Sequence, residues 1–249
     1  MRIVELQEVI STNTWAKENM TAIQLPVMVY AIRQSGGRGQ RGNSWESEPG
    51  KNLTASFILA PETLAATDQF LLSESLALAA VDLLDDFEIK AFVKWPNDIY
   101  VADKKIGGIL IENSILGNRL VNSVAGIGLN VNQQRFFSDA PNPVSMAQLT
   151  GREYDIKKIA SLLSEKFEKR LAILFSGKTH HEEFLKKLWR HDNKFYDFYD
   201  KNKECGIKAK IKDVAPSGIM TLELKDKECR DYAFKEIEFI ISRRETLSD

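Results

Sequence analysis

Apolar positions along this chain come in short blocks whose period changes several times, and those changes mark the elements. A short strand is expected at residues 2–6. Ser11-Thr12-Asn13-Thr14 then offers several helix N-caps before Trp15-Ala16-Lys17-Glu18, a plausible first turn. Residues 27–32 and 53–59 are near-continuous apolar runs, the pattern of strands buried on both faces. Between residues 70 and 87 the period changes. Leu72, Leu76, Ala79, Ala80, Leu83, Leu84 and Phe87 recur three and four apart, as in an amphipathic helix covering a sheet. Strand signals return at 89–94, 99–102, 106–112 and 120–131, joined by turns such as Ala102-Asp103-Lys104.

Asp155 can cap a second long helix running to about residue 175, with Ile159, Leu162, Leu163 and Phe167 on its inner face. A third helix is expected at 182–189. From residue 196 the signals are short β runs at 207–211, 219–224 and 234–241, separated by turns such as Ala215-Pro216-Ser217-Gly218. The pattern predicts an α+β domain over residues 1–195 and a small all-β, barrel-like domain over 196–249.

Composition narrows the functional classes. Lys+Arg 34 against Asp+Glu 35 leaves a net charge of -1, so no global field draws the chain to DNA or to an anionic membrane, and any anion site must be local. Cys205 and Cys229 have no metal-ligand spacing and suit a reducing compartment. The opening residues lack the apolar core of a signal peptide, and no stretch approaches the ~20 apolar residues that span a bilayer. A cytoplasmic protein is expected.

Four segments carry candidate chemistry. Gly37-Arg38-Gly39-Gln40-Arg41-Gly42 matches G-x-G-x-x-G, but Pro49, Gly50 and a strand follow where a dinucleotide site needs a helix. Asn43 stands where a P-loop needs Lys, and no kinase His-Arg-Asp or Asp-Phe-Gly triplet exists. A loop remains that presents two guanidiniums and sterically open N–H groups to a phosphate or acyl-phosphate, or else a mobile basic surface loop. Lys94-Trp95-Pro96-Asn97-Asp98 puts Asn97 and Asp98 on a strand-end turn. Lys105-Ile106-Gly107-Gly108-Ile109-Leu110-Ile111-Glu112 and Gly126-Ile127-Gly128-Leu129-Asn130 are strands punctuated by glycine, where a ligand or another backbone comes close.

In this order and spacing, with Ser11-Thr12-Asn13 and Gln34, these segments resemble the biotin-protein ligase family over roughly the first 150 residues. The resemblance implies a mixed β-sheet with helices packed on one side, followed by an SH3-like β-barrel domain. It also implies the form without an N-terminal DNA-binding winged helix. Ser11, Thr12 and Gln34 would bond the ureido ring of biotin, supported by Asn13. Arg38, Gly39 and Gln40 would cover its carboxylate with Lys105, and Gly108 would line the same side. Gly37, Arg38, Arg41, Trp45, Asn97, Lys105 and Asn130 would face ATP. Gln40 stands where the family usually has Arg.

The implied activity is an ATP-dependent ligation. Biotin's carboxylate, with a pKa near that of Glu at about 4.3, is ionised at neutral pH and needs charge neutralisation, from Arg38, Lys105 and Mg2+, rather than a base. The acceptor is a lysine of a biotin carboxyl carrier domain, whose ordinary pKa of about 10.4 requires loss of a proton, with Asp98 the nearest candidate to assist. Lys105, Arg38 and Asp98 are therefore the expected catalytic residues. No metal ligands are specified, and monomer and homodimer both remain open. A lipoate-protein ligase is the alternative within the superfamily. Outside it stand an RGG-type nucleic-acid module and a bare interaction domain.

Overall fold

A computed structural model describes residues 1–61, 63–137 and 142–241, apart from the side chain of Arg41. Strands β1 (Arg2–Val9), β2 (Val27–Gln34), β3 (Leu53–Leu59), β4 (Phe92–Lys94), β5 (Asp98–Val101), β6 (Lys104–Leu116) and β7 (Arg119–Leu129) form one 7-stranded sheet in the order β1-β2-β3-β7-β6-β5-β4. The first pair is parallel and the others are antiparallel. The helices are α1 (Thr12–Asn19), α2 (Phe70–Asp85), α3 (Met146–Thr150), α4 (Ile156–Phe175) and α5 (His181–Lys187).

Successive strand side chains point to opposite faces, so neighbours on β3 report which helix lies where. Phe57 meets Phe167 of α4 edge-to-face with ring centroids 4.6 Å apart, whereas Ser56 bonds Thr12 and Asn13 of α1. The long helices α2 and α4 pack on each other over one face. The short α1 lies across the other, where Ala16 joins Val27, Val29, Ile58 and Val124 in a buried apolar cluster. β3 is therefore buried along its whole length, as its unbroken apolar run requires.

Of the expected inner-face residues of α4, Ile159, Leu163 and Phe167 are buried and Leu162 is half-buried. Asp155 caps this helix, accepting from the N–H groups of Lys157 at 2.8 Å and Lys158 at 3.3 Å. Asp155→Ala is expected to cost about 1 kcal/mol of stability, read as a lower urea midpoint with an unchanged slope.

Several boundaries differ from the sequence pattern. Only Phe92–Lys94 of the run 89–94 pairs with a neighbouring strand, because the Ile89 N–H bonds back to Leu84 O at 3.0 Å and Glu88 takes φ 60 in leaving the helix. The third helix stops at Lys187, and Trp189 instead docks on the sheet, its N–H on Val93 O and its indole on Ala102 O, both 2.8 Å. The short α3 was not expected. Ser145 and Gln148 start it with a capping box, a local signal that its five residues of helix were too short to amplify.

The contacts divide the chain after Trp189. The second unit holds β8 (Tyr196–Asp200), β9 (Cys205–Val214), β10 (Met220–Leu224), β11 (Cys229–Tyr232) and β12 (Ile237–Phe239) in a 5-stranded antiparallel sheet, ordered β11-β10-β9-β8-β12. The sheet matches the small all-β unit expected, while the contact division after Trp189 falls six residues before the boundary read from the sequence. The alternating β8 and the turn-flanked β11 were not anticipated as strands. The run 234–241 contributes only Ile237–Phe239.

Candidate active site

The face of the sheet beneath α1 is floored by glycine. Gly108 pairs with Gly128, Leu110 with Gly126, and Gly126 and Gly128 pair in turn with Ser56 and Thr54 of β3, so these positions share one face. A Cβ at Gly126 would come within 2.2 Å of Asn13 Oδ1, and one at Gly128 within 2.3 Å of Trp45 Cε2. Both side chains lie flat on backbone that no larger residue could supply.

At one end of this floor stand the polar residues at the start of α1. Ser11, Thr12 and Asn13 are each only 4% exposed, a cost that hydrogen bonds must offset. Gln34 Oε1 accepts from the Thr12 N–H at 2.8 Å. The Ser56 hydroxyl lies 2.8 Å from Thr12 Oγ1 and 2.6 Å from Asn13 Oδ1. Asn13 Nδ2 donates to Leu110 O at 3.1 Å and to Glu112 Oε2 at 3.0 Å. The structure thus brings together Ser11, Thr12, Asn13 and Gln34.

Beside them the glycine-rich segment folds back on itself. The Gly36 N–H bonds Ile10 O, the Gly39 N–H bonds Asn43 O, and the Trp45 N–H bonds Gly37 O, at 2.8, 2.7 and 2.9 Å. Gly37 is required by close approach, since a Cβ there would lie 2.5 Å from Trp45 O. Gly39 carries the chain into a single 3-10 turn, Gln40–Gly42, in which Gln40 is half-buried. The Arg41 side chain lies outside the described residues. Between this loop and β6 opens a cavity of about 440 Å³ lined by Gly37, Arg38, Gly39, Asn43, Leu110 and Glu112 among others. Its volume is in the range of small-molecule sites.

Arg38 spans this cavity to Glu112, Nη2 to Oε2 at 2.6 Å, and Lys17 Nζ reaches the other oxygen at 2.5 Å. Burial pushes the Glu112 carboxyl up, but bonds from Lys17, Asn13 and Arg38 outweigh it and hold the group below its usual range. At the far end Lys105 Nζ sits 2.6 Å from Asp98 Oδ1, with Lys94 Nζ 3.9 Å from the other oxygen. Lys105 also lies 5.8 Å from the Trp45 ring centroid, and Gly108 leaves room for both. The Trp45 indole Nε1 is buried and has no hydrogen-bond partner among the described residues. Trp45 is thus the link between the loop and the lysine end.

Asn97 and Asn130 reach the neighbourhood but spend their amides on backbone. Asn97 Nδ2 donates to Ile109 O at 2.7 Å, and Asn130 Nδ2 to Val144 O at 3.1 Å. Among the described residues no three His, Cys, Asp or Glu side chains converge as a metal cage. Glu112, Ser56 and Lys17 were not singled out by sequence. Strand alternation carried a signal for two of them. Glu112 falls on the Gly108 face of β6, and Ser56 is a polar residue inside a strand buried along its whole length.

The model of the biotin/lipoate A/B protein ligase family matches residues 4–130, just over half of the chain. The chain belongs to this family. The bifunctional ligase/repressor BirA of Bacillus spizizenii is 33% identical over 195 residues, which cover 74% of this chain and 57% of that protein. The biotin–[acetyl-CoA-carboxylase] ligase of Paracoccus denitrificans is 29% identical over 63% of this chain and 68% of its own length. The chain spans 57% and 50% of the two Bacillus BirA proteins it matches. Among solved structures, the biotin protein ligase of Aquifex aeolicus in complex with biotin and ATP aligns with TM-score 0.80 over 97% of this chain and 99% of that one. At 24% identity that likeness speaks for the fold. Among the described residues no helix is long and apolar enough to cross a membrane.

Proposed function

We propose that this chain is a biotin-protein ligase, which joins biotin to ATP as biotinyl-5′-AMP with release of pyrophosphate and then passes biotin to a lysine of a biotin carboxyl carrier domain. The carrying observation is one sheet face with uncharged buried polar groups at one end and cations at the other. That suits a ligand with a neutral ureido head and an anionic tail. The relatives named as biotin ligases support the same reading.

Ser11, Thr12 and Gln34 meet the ureido ring, and Asn13 supports them through Ser56, whose hydroxyl touches both Asn13 and Thr12. Leu110 and Gly108 line the path to the carboxylate. Arg38, Gly39 and Gln40 cover that carboxylate from above, while Lys105 approaches from the sheet. Gly37, Arg41, Trp45, Asn97 and Asn130 frame the nucleotide, Trp45 offering its flat face and an indole N–H that no described residue accepts. In the first step the ionised carboxylate attacks the α-phosphorus, the bond to pyrophosphate breaks, and Lys105 and Arg38 stabilise the negative charge that builds on the phosphate oxygens. Asp98 is the carboxylate that Lys105 and Lys94 hold at that end. Mg2+ keeps most of its waters and binds through nucleotide phosphates with one or two carboxylates, which fits a site without a protein cage. In the second step the carrier lysine's amine attacks the acyl carbon and AMP leaves. Asp98, exchanging its bond with Lys105, accepts the proton. The exposed free thiols of Cys205 and Cys229 suit a reducing cytoplasm.

Biotin-dependent exchange of labelled pyrophosphate into ATP tests the reading directly. Exchange with biotin and none with lipoate is expected. Exchange with lipoate alone would move the chain to the other branch of its family. Biotin with MgATP should also slow trypsin cleavage after Arg38 several-fold, because a glycine-rich loop gains order only from contacts that offset its entropy. Equal cleavage with and without ligands would contradict the role given to the loop.

A further inference from the structure

Glu112 is a carboxylate in the wall of a cavity whose proposed ligands are anions, where an unneutralised charge would repel them. Its Oε2 receives both Asn13 Nδ2 at 3.0 Å and Arg38 Nη2 at 2.6 Å, and its Oε1 receives Lys17 Nζ at 2.5 Å. One oxygen therefore joins the polar end of the site to the guanidinium of the loop.

We propose that Glu112 is a positioning residue of the ligase site: as an acceptor it orients the Asn13 amide, and as an anion it holds Arg38 over the cavity until a ligand oxygen takes its place. The Asn13 half rests on the biotin-ligase reading, and the Arg38 half does not. Ser56 meets the Asn13 amide oxygen at 2.6 Å and Leu110 O takes one N–H at 3.1 Å, so the Glu112 bond completes the set and its loss leaves an N–H of a buried amide without an acceptor. Lys17 is the cation that stays. When Arg38 turns to an incoming carboxylate or phosphate, the Lys17 ammonium still neutralises Glu112, so the exchange leaves no bare charge facing the ligand.

Two substitutions separate the roles. Glu112→Gln keeps an acceptor for Asn13 and loses the charge, whereas Glu112→Ala loses both. In the ligand-free protein Glu112→Gln should be cleaved by trypsin after Arg38 about tenfold faster than wild type, the difference between a charge-assisted and a neutral bond, and Glu112→Ala, which leaves no bond, at least as fast. In biotin-dependent pyrophosphate exchange the KM for biotin should rise about tenfold in Glu112→Ala and return to within about twofold of wild type in Glu112→Gln. A part that merely stabilised the fold would lower the melting temperature without this split between the two variants. Unchanged cleavage after Arg38 in both variants, or a biotin KM as poor in Glu112→Gln as in Glu112→Ala, would overturn the proposal. Absence of exchange in wild type would instead overturn the ligase reading, and the cleavage rates would still judge the hold of Glu112 on Arg38.

Discussion

Lys105→Ala is expected to slow adenylate formation by about 10²–10³-fold while the protein stays folded, the usual cost of removing one preorganised charge-stabilising donor. Lys105 is not core. It is the second residue of β6 with its side chain 20% exposed, its ammonium is bonded to Asp98 at 2.6 Å, and its flank rests against Gly108 and Trp45. Removing it leaves Asp98 with Lys94 at 3.9 Å, a looser partner but a neutralising one. The fold should tolerate the change with a loss of about 1 kcal/mol or less. Single-turnover formation of biotinyl-adenylate, beside a urea melt, checks both halves. A normal rate would remove Lys105 from the chemistry.

Gly126→Ala is expected to disable the polar end of the site and to destabilise the chain by about 2–3 kcal/mol. The added Cβ would sit 2.2 Å from Asn13 Oδ1, 2.9 Å from its Cγ and 3.0 Å from its Nδ2. That amide is not the loose end of a flexible chain. It is tied to Ser56, Leu110 and Glu112, so displacing it strands buried donors and acceptors on α1, β3 and β6 together. The biotin KM should rise by about 100-fold, as several bonds are lost at once. Gly206→Ala, where the nearest atom would be 4.0 Å away, is the matching control and should stay within about 0.5 kcal/mol of wild type. An unchanged urea midpoint for Gly126→Ala would show that Asn13 can move away at no cost.

What the sequence disclosed depended on the range of each signal. The run 53–59 coincides with β3 residue for residue, because a strand buried on both faces is written in consecutive positions. The helix capped by Asp155 was legible for the same reason, its cap and its 3.6-residue period both being local. The glycines of β6 and β7 marked a close approach, but not by which group. The structure supplies the answer as Asn13 over Gly126 and Trp45 over Gly128, contacts that no local pattern encodes. Glu112 illustrates the limit. Its partners Asn13, Lys17 and Arg38 are 99, 95 and 74 residues away in the chain. Asn97 and Asn130 were drawn out by their motifs, and the fold gives each amide a further task that no motif shows, holding Ile109 O and Val144 O. The short β4 and the unanticipated α3, β8 and β11 fall where turn geometry decides the outcome and apolar periodicity has too few residues to register.

The central claim is that this one site activates biotin and delivers it to a protein lysine. The most direct measurement is the intact mass of a purified biotin carboxyl carrier domain incubated with the chain, biotin and MgATP. The account predicts addition of one biotinyl group at the carrier's acceptor lysine, dependent on both biotin and ATP, and retarded to the same degree as adenylate formation when Lys105→Ala replaces the wild type. A carrier of unchanged mass, with no biotinyl-adenylate released into solution, would contradict it.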